Sequence, residues 1–142
     1  MLKDIKLAIN EKILSVFPEV EIQSKDIEEG FKRPSFYVDF ENSKLFKIAA
    51  EYYNKSISVR VYYFASDRYK HSTENLEVQE SLESLFIDKL VVNEVNIPIL
   101  EVESNVVDSV LQFSFELEYN INKVEEYDNE ISEILEVNII KN

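Results

Sequence analysis

Histidine and carboxylate side chains are the groups of this sequence whose chemistry is worth weighing first. The single histidine, His71, lies in a polar stretch beside Lys70 and Ser72. A serine nucleophile served by a histidine base commonly sits on a turn flanked by glycines, and the chain has one glycine in all. Cysteine is absent, which removes thiolate nucleophiles, disulfides and thiolate zinc ligands. We therefore predict no catalytic residue and no cofactor.

The 28 acidic residues offer a second kind of chemistry, because paired carboxylates can act as acid and base or hold a divalent cation. Glu101 and Glu103 lie on one face of a predicted strand, as do Glu116 and Glu118 on another. The sequence has no aspartate-rich loop of calcium-binding spacing beside them, so we predict no metal site. A carboxylate-dependent hydrolase remains an alternative at this point.

Helical and strand periodicities indicate which elements position these side chains. Apolar residues at helical spacing predict a helix from Leu2 to Phe17, and Pro18 ends it. A turn around Gly30 leads to a strand over residues 35–41, where apolar and polar residues alternate. A second helix is predicted with Thr73 as its N-cap, an acidic outer face, and a buried stripe of Leu76, Leu82, Leu85, Phe86 and Leu90.

Two hairpins complete the predicted sheet. Residues 44–53 favour a strand over a short helix, and a turn at residues 54–56 joins them to an alternating strand that ends at Phe64. The second hairpin pairs residues 97–103 with 107–119 across a turn at Ser104 and Asn105.

The predicted architecture is a single α+β domain over residues 1–142. It has a mainly antiparallel sheet, built from two hairpins plus a further strand, with about three helices at its flanks. The third helix falls at residues 124–135, and residues 136–142 are a candidate flexible tail because they show no clear period.

Charge is distributed unevenly along the chain. Its formal net charge is -13, and residues 74–142 carry 3 basic and 17 acidic side chains. Such a surface repels phosphates, so we predict no sequence-specific nucleic-acid binding. No apolar run approaches the roughly 18 residues of a membrane span, and the opening residues lack an apolar signal core. We expect intracellular synthesis, in the cytoplasm, and no membrane partner.

Aromatic residues are concentrated in the first predicted hairpin. Core packing is the ordinary role of rings at alternating strand positions. Here Tyr52 and Tyr53 are consecutive, and Tyr62 lies two positions before Phe64 with a further tyrosine between them, so both faces of the hairpin carry rings. Tyrosine is enriched at protein interfaces. These four residues are therefore our candidates for a contact with a partner.

Several segments, in this order and spacing, give the chain a resemblance to the tail terminator (tail completion) proteins of tailed bacteriophages. The similarity is greatest to the type found in prophages and phage-tail-like particles of Gram-positive bacteria. The segments that carry it are the amphipathic helix ending in Phe17-Pro18, Glu29-Gly30-Phe31 followed by Pro34-Ser35-Phe36, residues 58–64 and residues 107–113.

The resemblance implies a structural protein of the virion tail rather than an enzyme. Such a subunit would cap the head-proximal end of the tail tube as a ring, expected to be hexameric, stop tube polymerisation and offer a docking face to the neck or head connector. If the ring surrounds passing DNA, the glutamates at 101, 103, 116 and 118 are candidates to line its lumen. The alternatives are another neck component, such as a head-tail connector or head-closure protein, and a monomeric adaptor domain.

Overall fold

A six-stranded sheet with two helices against it makes up the described part of the chain. The computed structural model describes residues 1–23, 32–67 and 69–122. The sheet order is β1-β2-β3-β6-β5-β4; β1 runs parallel to β2 and the other pairs are antiparallel. The predicted α+β class is confirmed. The elements are α1 (Leu2–Val16), β1 (Glu21–Gln23), β2 (Ser35–Ala49), β3 (Tyr52–Phe64), α2 (Ser72–Leu85), β4 (Lys89–Val92), β5 (Val95–Val107) and β6 (Val110–Asn122).

Both helices bury their apolar faces against one side of the sheet. In α1 the buried residues follow one another at intervals of four, as a helix that is apolar on one side requires. The core also takes alternate residues of β3 and β6, such as Val59 and Phe113. Lys12 Nζ donates a hydrogen bond to the carbonyl of Leu85, 3.1 Å away, which joins the end of α2 to α1. The buried positions of α1 are Ile5, Ile9 and Ile13.

The second helix begins two residues earlier than predicted, and it buries a different face. Its N-cap is His71, not Thr73, and its buried residues are Asn75, Val78 and Leu82. Leu76 is 61% exposed, and Leu90 belongs to β4. Leu82 and Phe86 are buried as predicted.

The carboxylate of Glu74 explains the rotation of this helix. It accepts hydrogen bonds from the phenol of Tyr63 and from both the backbone N–H and the hydroxyl of Ser66. Because Glu74 is held against the end of β3, the neighbouring Leu76 is directed outward. Burial, together with the bond to Glu74, raises the pKa of Tyr63.

The first hairpin is longer than predicted, and its turn lies elsewhere. The predicted strand at 35–41 and the one at 44–53 are parts of a single strand, β2, interrupted by a bulge between Glu41 and Ser43. The loop is formed by Ala50 and Glu51, whereas residues 54–56 lie within β3. Turn-forming residue types are tolerated inside β3 because Asn54 Nδ2 donates to Asn120 Oδ1 on the adjacent strand, at 3.2 Å.

Turns made without glycine separate β4, β5 and β6. Asp108 and Ser109 have φ angles of 51° and 72°, so the turn lies there and not at Ser104 and Asn105. Asn93 and Glu94, with φ of 48° and 68°, join β4 to β5 in the same way. Two consecutive positive φ angles match the twist of a two-residue hairpin. The described residues therefore contain three hairpins and one parallel strand, which corrects the two-hairpin layout.

The remaining predictions of secondary structure fall outside the described residues. These are the turn at Gly30, the helix at residues 124–135 and the tail at 136–142, so two of the three predicted helices are seen in the described part. Neither of the two is long and apolar enough to span a membrane.

Candidate functional site

The face of the sheet opposite the helices carries rows of polar side chains. In one row, hydrogen-bonded strands align Glu41, Ser58 and Glu116. The next row contains Arg60, with Asp39 and Ser114 on either side and Glu103 beyond Ser114. Because successive residues of a strand point to opposite faces, these side chains lie away from the core.

These rows form a shallow groove of about 140 Å³ across four strands. Arg60 Nε lies 3.0 Å from Glu41 Oε1, and Arg60 Nη1 lies 3.2 Å from Gln112 Oε1. Ser58 Oγ donates to Glu116 Oε1 at 3.3 Å. The groove therefore brings one arginine together with several carboxylates, and its lining includes Glu41, Arg60, Glu101, Glu103, Ser114 and Glu116.

A bulge in β5 places Glu101 beside Glu116. The register shifts between Leu100 and Glu103, and Glu101 itself has a φ of 51°. The negative charge of Glu116, and a hydrogen bond to it, raise the pKa of Glu101 above its ordinary value. Glu118 pairs with Ser56, one row farther along β6, and does not line the groove. Three of the four candidate lumen glutamates are thus brought together.

The same residues bear on whether the chain could bind a metal or act as a catalyst. In the described part of the chain, no group of three or more histidine, cysteine or acidic side chains is placed to hold a metal ion. His71 is half-buried at the start of α2, where its Nδ1 lies 3.4 Å from Asn75 Nδ2. Arg60 is already bound to Glu41 and Gln112. The groove is therefore suited to presenting a charged surface to another molecule.

The four aromatic candidates form two separate groups. Tyr52 is 50% exposed at one end of β3, with Tyr53 next to it. Tyr62 and Phe64 lie about 30 Å farther along the strand at the usual rise per residue. The Tyr62 ring is 5.9 Å from that of Tyr37, and the Phe64 ring is 6.0 Å from the guanidinium carbon of Arg33. The second group is therefore engaged within the chain.

Exposed apolar side chains surround Tyr52 but not Tyr62. We call residues 43–56, at the tips of β2 and β3, the distal hairpin. Leu45, Phe46 and Ile48 are each about half exposed there. The sequence prediction missed them as surface residues because their apolar character indicates burial in a core. The signal that points to them is the pair of lysines that flanks Leu45 and Phe46, Lys44 and Lys47.

An exposed apolar hairpin next to a charged groove is typical of a protein that works by contacting other proteins. A family model described as phage tail terminator protein matches residues 4–129. The chain therefore belongs to the phage tail terminator family, as the resemblance predicted. A search of the curated proteins found no match.

Membership of this family establishes the general role of the chain. It is a structural or assembly component of a phage tail, and it associates with other tail or neck proteins. The type of bacterial host stays a prediction.

Proposed function

We propose that this chain caps the head-proximal end of a tail tube as a ring, stops tube polymerisation and presents a docking face to the neck or head connector. The observation that carries the proposal is the family match, which covers most of the chain. We further propose that the chain acts through these contacts alone and is not an enzyme.

The two faces of the sheet differ, which supports different roles for them within such a ring. One face is covered by α1 and α2. The other carries the groove lined by Glu101, Glu103 and Glu116. Directed at a lumen, this face would keep phosphates from adhering as DNA passes, because like charges repel at short range. Glu118 extends the same charge along β6.

The exposed end of the first hairpin supports a contact with a partner. Tyr52 presents a half-exposed ring together with the apolar side chains of the distal hairpin. Tyr53 is half-buried beside it, and Tyr62 and Phe64 would contribute only at the far end of β3. Tyr52 is therefore our first choice for mutagenesis.

Deleting the gene for this chain from the genome that encodes the tail tests the capping role. We expect tails of abnormal length that also fail to join heads, and plasmid-borne wild-type protein should restore both tail length and joining. Normal tail length with free heads would instead indicate a head-side neck protein. A chain that ignores purified tail tubes at high concentration would indicate an adaptor. Either of these results would overturn the proposal.

Charge reversal tests the lumen assignment separately. In a groove variant, Glu116→Lys is combined with Glu118→Lys, because both residues lie on β6, which is not an edge strand. Assembled tails should stay intact and DNA ejection should slow. A matched control is Glu77→Lys combined with Glu80→Lys, on the exposed face of α2. Normal ejection by the groove variant would remove the lumen assignment and leave the capping role in place.

A further inference from the structure

Two long strands each keep one edge without a strand partner, within the described part of the chain. Strand β1 pairs with residues 35–37 of β2 only, so residues 38–49 have β3 on one side and no strand on the other. Strand β4 pairs with residues 95–98 of β5 only, which leaves residues 100–107 with β6 alone. An unpaired edge presents N–H and C=O groups that a further strand can bind.

The pairing register shows which backbone groups face these open edges. Val107 and Val110 close a two-residue turn, a position where paired residues exchange both hydrogen bonds. Alternation back along β5 directs the N–H and C=O of Val106 away from β6. The register of β6 with β3, and of β3 with β2, extends this alternation to the other edge. There it directs the backbone N–H and C=O of Leu45 away from β3. Both edges therefore offer donors and acceptors to a partner strand.

Opposite charge distinguishes the two edges. The distal hairpin on the β2 side carries Lys44, Lys47 and Lys55 against a single acidic residue, Glu51. Residues 90–122, which include β5, contain six acidic side chains and no lysine or arginine. Like charges oppose pairing of either edge with its own copy, and opposite charges favour pairing of one edge with the other.

Exposed apolar side chains accompany both edges. Leu45, Phe46 and Ile48 are 47–55% exposed on β2, and Val106 and Val107 are 41–46% exposed on β5. Long edge strands with exposed apolar residues are usually blocked by charge, proline or a covering element, because they otherwise associate. Association through such an edge buries these side chains along with the backbone groups.

We propose that a second copy of this chain aligns the open edge of its β5 with the open edge of β2, so that one sheet continues from copy to copy. This inference rests on the proposed ring and identifies its subunit contact. Because the two edges are different surfaces, each added copy leaves one edge of each kind available, and the assembly ends only when the circle closes. Strand addition of this type is a common mode of protein association.

Introduced cysteines test the contact directly, because the chain has none of its own. Leu45→Cys and Val106→Cys proteins are prepared separately, mixed, assembled on purified tail tubes and treated with a short bismaleimide. We expect a dimer that joins residue 45 of one copy to residue 106 of another, and no such product from either variant alone. Leu76→Cys mixed with Val106→Cys is the control, since Leu76 projects from α2.

A lysine-reactive cross-linker applied to the wild-type protein on the same tubes reports ring formation independently. Ring-sized products without the 45–106 product would overturn the edge pairing and leave the capping ring standing. Monomers in both experiments would overturn the ring and the pairing together.

A backbone substitution supplies the second test. Val106→Pro removes an outward N–H that β6 does not use, whereas Val106→Thr keeps that N–H and serves as the control. We expect the proline variant to retain the thermal unfolding midpoint of the threonine variant but to bind tube ends at least about tenfold more weakly. Equal binding by the two variants would overturn the proposal.

Discussion

Arg60 Nε lies 3.0 Å from Glu41 Oε1, across two neighbouring strands and on the face of the sheet that the helices leave open. Both side chains are about one-third exposed. The same guanidinium reaches Gln112 on the opposite neighbouring strand. Arg60 therefore links three strands and offsets part of the negative charge that the groove carries.

Replacing Arg60 should destabilise the fold at neutral pH. Arg60→Met keeps most of the apolar stem and removes the charge, leaving Glu41 without the cation that it pairs with. We expect the free energy of unfolding in urea to fall by about 1 kcal/mol at pH 7 and low salt. Lys47→Met, on an exposed position, is the control, and an equal effect of both changes would contradict this role.

Glu74 should contribute stability that depends on pH. Burial acts to raise the pKa of Glu74, but the hydrogen bonds from Ser66 and Tyr63 outweigh it, so the pKa lies below its ordinary value of 4.5. A lowered carboxyl pKa stabilises the fold above the unfolded-state pKa, and this contribution is lost as pH falls through the folded-state pKa. Glu74→Gln should cost about 1 kcal/mol at pH 7 and progressively less below pH 4.5, measured by urea unfolding at each pH.

A neighbouring glutamate provides the control for Glu74. Glu77 lies on the same helix and is exposed. Glu77→Gln should leave the pH dependence of stability at its wild-type slope. If Glu74→Gln also retains that slope, the hydrogen bonds to Glu74 do not have the effect assigned to them.

Glu101 should titrate above the ordinary range of a glutamate, and Glu116 should be the cause. Glu116→Gln removes the negative charge next to Glu101 while an amide oxygen can still accept from Ser58. The pKa of Glu101, followed by carboxyl NMR titration, should therefore fall towards its ordinary value. Glu118→Gln should leave it unchanged, because Glu118 lies outside the groove. A pKa that ignores both substitutions would contradict the pairing.

The β5–β6 turn should become more stable with glycine. Ser109 has a φ of 72°, a conformation that costs a residue with a β-carbon about 1 kcal/mol and glycine almost nothing. The bond from Asn75 Nδ2 to the Ser109 carbonyl uses the backbone and survives the change. Ser109→Gly should raise the free energy of unfolding by about 1 kcal/mol, whereas Ser114→Gly, within β6, should lower it. A loss of stability in the turn variant would contradict the assigned geometry.

Local periodicity predicts a large part of this fold. The spacing of Ile5, Ile9 and Ile13 predicts the inner face of α1, and the alternation from Leu111 to Leu117 predicts the inner face of β6, because both patterns reflect burial on one side. Turn positions are harder to predict in a chain with one glycine. Asp108 and Ser109 have positive φ angles, which their residue types alone do not predict.

The candidate site depends on relationships that no local pattern contains. Glu101 meets Glu116 only because a bulge shifts the register of β5. Arg60 meets Glu41, 19 positions away in the sequence, because β2 pairs with β3. Charge and strand alternation predict the glutamate positions, but neither pattern predicts that Arg60 lies beside them. Tyr52, chosen by residue type, lies at the end of β3 that carries exposed apolar side chains, whereas Tyr62 and Phe64 lie against Tyr37 and Arg33.

The distal hairpin extends beyond the part of the sheet that the helices cover. Residues 42–49 of β2 are exposed at every position, while the fully buried side chains of β3 begin again at Ile57. Opening the distal hairpin breaks its hydrogen bonds without exposing the core, so this opening requires less free energy than global unfolding. The distal hairpin should therefore bend more readily than the part of the sheet that α1 and α2 cover, so that its curvature can adjust to the surface it meets.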